Sequence, residues 1–175
     1  MTGDMAAKGI REHDADGRIV LVGDEPHPTY KRPLLTKGLW SGAPEEKLWK
    51  APADNLDLVT GRRIVSIDLD AHTATDAAGD EYAWEKLLLA TGAKARAIPG
   101  ADGVVWLRTL DDYRRLRETA PAGSHVVMIG GGFIGSEIAA ALTGAGVRVT
   151  MVFPETGIGS RLFPAMRVFG LIGLL

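Results

Sequence analysis

The chain has 175 residues, 46% of them hydrophobic and 24% charged, with a formal net charge of −2, the make-up of a globular protein able to bury a core. The near-neutral balance gives no electrostatic case for nucleic acid or an anionic membrane as partner. There is no cysteine, and histidines 13, 27, 72 and 125 lack ligand spacing, which excludes a disulfide scaffold, a thiolate metal site and a C-x-x-C redox pair. A G-x-S-x-G elbow is also absent, so no catalytic side chain and no metal ligand is singled out. Any redox chemistry must come from a bound cofactor.

The N-terminus shows no signal-peptide pattern, and cytoplasm is the default location. Residues 4–12 read as a helix running into the turn signal Asp14-Ala-Asp-Gly17, so the chain is expected to open within a helix. Residues 18–23 read as a buried strand closed by Asp24-Glu25. The prolines of 26–33 favour an extended connection, and 34–38 a single helical turn. Residues 57–61, 63–68, 72–75 and 81–84 read as short strands, and the turn at 76–80 predicts a hairpin or three-stranded meander with His72 as an exposed strand residue. Residues 86–92 predict a buried strand ending in a glycine turn, with Arg96 beyond it, and 103–108 a further strand. Residues 110–118 read as a polar helix with Leu110, Tyr113 and Leu116-Arg117 on its inner stripe. The tail at 168–175 is apolar but too short to span a bilayer.

Residues 125–153 carry the most chemistry. The apolar run 126–129 predicts a buried parallel strand, and Gly130-Gly-Gly132-Phe-Ile-Gly135 leads into the helix former Glu137-Ile-Ala-Ala-Ala-Ala-Leu142 and a second strand at 147–153. In a G-x-G-x-x-G turn the first glycine permits the tight turn, the second the approach of a pyrophosphate, and the third close packing of helix on strand. The new helix points its N–H groups and positive dipole end at the phosphates. A ligand-free glycine turn is the alternative; the strand–turn–helix–strand context favours the dinucleotide. Phe153 stands where an acid usually holds the NAD ribose, and Glu155 comes two residues later. Glu155 is either that ribose ligand or a solvated loop glutamate, and Arg148 and Arg161 are nearby cations that keep NADP open; NADH is favoured. Helix, strand and acid also occur in residues 4–24, with only Gly3 left where a last fingerprint glycine would fall, so Asp24 is either a second ribose ligand or a solvated loop acid.

Together these motifs resemble the pyridine nucleotide-dependent flavoprotein oxidoreductases, most closely the ferredoxin/rubredoxin reductase branch that includes apoptosis-inducing factor. Thr29-Tyr-Lys-Arg-Pro-Leu-Leu-Thr-Lys-Gly-Leu-Trp40 is similar to the branch's FAD-contacting Y-x-R-P-P-L-S-K-x-L-W, with Leu34 and Thr36 as mild departures. Leu88-Leu-Ala90-Thr91-Gly92 with Arg96 is similar to its A-T-G-x-x-x-R, and 130–137 to its NAD fingerprint. Residues 152–155, with 157–164 after them, resemble apoptosis-inducing factor most specifically.

The resemblance implies an α/β, Rossmann-like FAD/NAD(P)-binding three-layer fold with a small antiparallel β meander, incomplete at both ends. The expected parts are a partial FAD domain at 1–107, a partial NAD(P) domain at 108–164 and an atypical tail at 165–175. It implies that Gly3, Asp24, Arg32, Lys37, Ile64, Ala90, Thr91, Gly92 and Arg96 serve FAD. Gly130, Gly132, Phe133, Ile134, Gly135, Glu137 and Glu155 would serve NAD(P)H. Hydride would pass from nicotinamide C4 to flavin N5, and electrons onward to a small redox protein of ferredoxin, rubredoxin or Rieske type. A homodimer is compatible with this. The alternatives are a non-catalytic dinucleotide-binding module and an inactive truncated product.

Overall fold

The computed structural model describes residues 2–96 and 98–159; Arg161, the end of the 108–164 segment and the 165–175 tail lie outside them. The described residues fall into two units, 2–32 with 46–94, and 33–45 with 95–96 and 98–159.

In the first unit, helix α1 (Thr2–Arg11) carries Asp4 in its first turn and Lys8 and Arg11 in its last, the charge order that the helix dipole favours. Arg11 then gathers the chain beyond the helix. Its guanidinium donates to the carbonyls of Asp14 (3.0 Å), Gly17 (2.6 Å), Asp54 (2.7 Å) and Asn55 (2.8 Å). Strand β1 (Ile19–Val22) pairs in parallel with β2 (Leu56–Val59), Ile19 opposite Leu56 and Val22 opposite Val59. Strands β3 (Ile64–Asp68), β4 (Thr73–Asp76) and β5 (Glu81–Ala83) form the antiparallel meander, in that order.

Three sequence expectations need correction here. His72 lies outside the strands, with a left-handed φ of 55°, because it closes the β3–β4 turn and stacks on Trp84 at 4.4 Å between ring centroids. Residues 86–92 and 103–108 join no ladder among the described residues. A strand exists only through a hydrogen-bonded neighbour, and an apolar run cannot supply one; Leu88 and Leu89 are 59% and 63% exposed.

In the second unit, α2 (Leu110–Thr119) starts with a capping box. Thr109 Oγ1 accepts from the Asp112 N–H at 3.2 Å, and the Asp112 carboxylate accepts from the Thr109 N–H at 2.7 Å, satisfying two helix-end donors. Residues 33–45 pack on its inner face. Trp40 meets Tyr113 edge-on at 5.4 Å, Arg117 lies 5.0 Å over the Trp40 ring, and Glu45 pairs with Arg114. Strands β6 (His125–Ile129) and β7 (Arg148–Val152) pair in parallel, connected by α3 (Phe133–Gly144). The α3 face carrying Ile138, Ala139 and Leu142 is buried, while Val127, Ile129 and Val152 stand exposed on the sheet's other face. The whole is an α/β, Rossmann-like arrangement. No helix of the described residues is long and apolar enough to cross a membrane.

Leu142 has no exposed surface, so Leu142→Ala is expected to cost about 2–5 kcal/mol in urea unfolding. Asp76 has a second, pH-dependent signature. Burial pushes its carboxyl up, but the N–H groups of Asp80 and Ala78, the Tyr82 hydroxyl and Arg62 outweigh this and hold it below its ordinary value of 3.8. A carboxyl lowered by folding contributes stability that is present above its unfolded value and lost as pH falls through the folded one. Asp76→Asn is therefore expected to lower stability at neutral pH and to flatten the acid limb of a melting-temperature profile. An unchanged acid limb would show that Asp76 is not the group responsible.

Candidate dinucleotide-binding site

Site residues occur in both units. In the second, the chain leaves β6 through Gly130, whose φ of 116° suits glycine and strains other residues. Its N–H donates to the Val152 carbonyl at 2.9 Å and so extends the ladder by one bond. Gly132 caps α3 without a side-chain hydrogen bond to the helix start. A Cβ there would meet nothing within 4 Å, whereas one on Gly135 would lie 2.3 Å from the Gly130 carbonyl oxygen. The first glycine turns, the second leaves open space before a helix N-terminus, and the third permits backbone contact. That open, electropositive turn fits a dinucleotide pyrophosphate. Phe133 and Ile134 flank it, both exposed.

Glu137, one turn into α3, is half-buried and engaged. Its carboxylate accepts from Thr36 Oγ1 at 2.7 Å and lies 3.3 Å from Lys37 Nζ. Lys37 is thereby oriented by a carboxylate on the fingerprint helix itself. Glu155 follows Pro154 and is half-buried. Phe153 has a packing role that the sequence did not reveal: a Cβ on Gly131 would sit 2.9 Å from its ring. Arg148 does not stand near the fingerprint. It opens β7 opposite His125, roughly 13 Å of strand away from the turn at about 3.3 Å per residue.

In the first unit, a Cβ on Gly3 would lie 2.7 Å from Leu21 Cδ1, the movable end of a side chain, so α1 packs on β1 there without the backbone contact seen at Gly135. Asp24 is exposed just past β1, and Ile64, half-buried, opens β3. Arg32 binds Glu25 at 2.5 Å and lies 4.9 Å over the Tyr30 ring, while the Tyr30 hydroxyl also donates to Glu25. Ala90, Thr91 and Gly92 are exposed and outside the ladders, Gly92 with a φ of 71°; Arg96, in the second unit, is exposed too. Sequence reasoning missed Glu25, Tyr30 and Thr36. Their contacts cross a proline loop or join segments 101 residues apart, and no periodicity records such pairs. It also missed the buried carboxylate of Asp4. Burial alone would raise this group, but Lys50, Lys8 and Thr29 together leave it below its ordinary value. Among the described residues no group of three or more His, Cys, Asp or Glu is placed to hold a metal ion.

Residues 2–167 match the family described as pyridine nucleotide-disulphide oxidoreductase. Rhodocoxin reductase of Rhodococcus erythropolis is 42% identical over 159 residues, covering 84% of this chain and 37% of the relative. The ferredoxin reductase component of chlorobenzene dioxygenase from Cupriavidus sp. (strain PS12) is 36% identical, covering 87% and 39%. Among solved structures, that of the covalent putidaredoxin reductase–putidaredoxin complex superposes with a TM-score of 0.87 at 28% identity, covering 99% of this chain and 44% of the other. The glycine turn, its helix and its paired strands thus define a nucleotide-binding flavoprotein fold. The chain belongs to the pyridine nucleotide-disulphide oxidoreductase family, whose members are FAD-dependent NAD(P)H oxidoreductases. It spans about two fifths of the length of the relatives it matches, 37% and 39% of the two named. With no cysteine in its 175 residues, the redox disulfide for which the family is named has no counterpart in this sequence.

The two α3 glycines make a matched test. Gly135→Ala forces its methyl into the Gly130 carbonyl and is expected to cost roughly 1–3 kcal/mol. Gly144→Ala meets nothing within 4 Å and is expected to be neutral or slightly stabilising, by up to about 1 kcal/mol. Thermal unfolding of both variants measures the contrast, and equal losses would refute the close-approach account.

Proposed function

We propose that this chain binds FAD and NADH as part of a ferredoxin reductase-type flavoenzyme, passing electrons to a small redox protein. The observation that carries the reading is the Gly130–Gly135 turn, open at Gly132 and shut at Gly135 by backbone contact, at the N-terminus of a helix between parallel strands. Gly130, Gly132 and Gly135 would seat the NADH pyrophosphate, with Phe133 and Ile134 against the cofactor and Glu155 at the adenosine ribose. Glu137 orients Lys37, and Glu25 orients Arg32, which gives two cations with restricted geometry for FAD. Gly3 would seat the FAD diphosphate at the start of α1. Asp24 would hold its ribose, Ile64 would offer backbone contacts to adenine, and Ala90, Thr91, Gly92 and Arg96 would line the remaining cofactor. The resemblance of the 29–40 and 88–96 motifs and the identity to reductases of rhodocoxin and dioxygenase ferredoxins support these assignments.

Bound FAD supplies the capacity to take a hydride from nicotinamide and release electrons to an acceptor. The protein's side chains position and polarise; none of those assigned to the cofactors acts as a nucleophile or general acid. Lys37 pairs with Glu137, whose carboxylate also accepts from Thr36, and this restricts the lysine's position, as orientation-driven catalysis requires. A small iron–sulfur or rubredoxin-type acceptor follows from the activities named for the relatives.

Flavin content tests the reading. The 175-residue chain purified without added cofactor is expected to show bound-flavin absorbance, or to acquire it on titration with FAD, and to bleach anaerobically on addition of NADH. A colourless protein that takes up no FAD would overturn it.

A further inference from the structure

The start of α1 holds a buried ion pair that the cofactor assignments leave unused. Asp4 has no exposed side-chain surface, Lys50 Nζ lies 2.5 Å from its Oδ2, and Thr29 Oγ1 donates to its Oδ1 at 3.2 Å. The Lys50 side chain is 15% exposed, and its backbone N–H donates to the Thr29 carbonyl at 3.1 Å. Lys8 stands further off, at 3.9 Å and more exposed. A buried pair of this kind is a weak stabiliser, because desolvation of both charges offsets their attraction. Its position is more telling. Asp4 comes directly after Gly3, in the first described turn of α1, where that helix packs against Leu21 of β1. On the FAD reading, that first turn is where the cofactor's diphosphate rests, drawn by free N–H groups and the helix dipole. A bare carboxylate in the same turn would repel the diphosphate, and low-dielectric surroundings would strengthen the repulsion.

We propose that Lys50 is a positioning residue for FAD, acting through Asp4: it neutralises the buried carboxylate and so keeps the start of α1 attractive to the diphosphate. The inference rests on the FAD reading. It accounts for a lysine drawn into the interior beside a helix start, where a neutral pair of similar shape would hold the segments together as well. Thr29 takes part by fixing the carboxylate's orientation, and it lies on the connection that leads to Arg32.

The test is the FAD dissociation constant, by flavin fluorescence titration at low and high salt, for the wild-type chain, Lys50→Met, Asp4→Asn and the double variant, with melting temperatures in parallel. Lys50→Met is expected to weaken FAD binding roughly tenfold or more at low salt and less at high salt. Asp4→Asn keeps an acceptor for Thr29 and Lys50 and is expected to bind FAD at least as tightly as wild type. The double variant is expected to recover most of the affinity lost by Lys50→Met. A purely structural tie predicts the opposite: Asp4→Asn weakens binding and the double variant shows no rescue, which would overturn the proposal. If Lys50→Met does not fold, Asp4→Asn and the double variant decide by the same criteria. A wild-type chain that takes up no FAD would overturn the proposed function and this inference with it. Wild-type binding with no response to Lys50→Met would overturn this inference alone.

Discussion

The backbone contact between Gly135 and the carbonyl of Gly130 sets most of what surrounds it. A methyl at 135 would sit 2.3 Å from that oxygen, so α3 can begin this close to β6 only on glycine. Once it does, the helix is committed to returning alongside the sheet, and β7 is committed to pairing in parallel with β6. The helix start then faces outward from the carboxyl end of the strands, the place where open α/β sheets bind their ligands. In the other unit, a Cβ on Gly3 would meet the end of the Leu21 side chain at 2.7 Å, a contact that a rotation of the leucine relieves.

The charged candidates are tethered rather than loose. Lys37 reaches Glu137, and Arg32 reaches Glu25 while lying over Tyr30. Long cationic side chains carry about 2 kcal/mol of rotamer entropy, and tethering removes part of that cost before any ligand arrives. The 33–45 segment gains its own rigidity from aromatic packing, with Trp40 between Tyr113 and Arg117 and its indole N–H on the Leu35 carbonyl at 2.9 Å.

The local elements were legible in the sequence where a local rule determines them. The glycine spacing at 130–135 placed the turn, the alanine run placed α3, and alternation with turn residues placed the meander. The strands expected at 86–92 and 103–108 failed because pairing is a property of two segments, and composition describes only one. His72 was misplaced for a similar reason: its left-handed turn is held by stacking on Trp84, a contact between residues with no sequence pattern linking them. Arg148 was close to the fingerprint in neither space nor register, since β7 runs parallel to β6 toward the turn and carries its first residue at the far end of the sheet. The carboxylate partners Glu25 and Glu137 were visible as residues, but their engagement with Arg32, Thr36 and Lys37 depends on tertiary geometry.

The tryptophans divide the molecule in a way that spectroscopy can exploit. Trp49 and Trp84 belong to the first unit, Trp40 and Trp106 to the second. Their surroundings differ: Trp84 lies flat against an imidazole at an interplanar angle of 7°, and its indole N–H has no hydrogen-bond partner among the described residues. Trp40 is clamped between a phenol edge and a guanidinium. The stacked imidazole is expected to quench Trp84 in the folded chain, so melting of the meander is expected to brighten the emission. Exposure of Trp40 to water shifts its emission to the red. The protein thus carries a built-in pair of optical reporters, one read by intensity and the other by wavelength, through which each unit announces its own loss of structure.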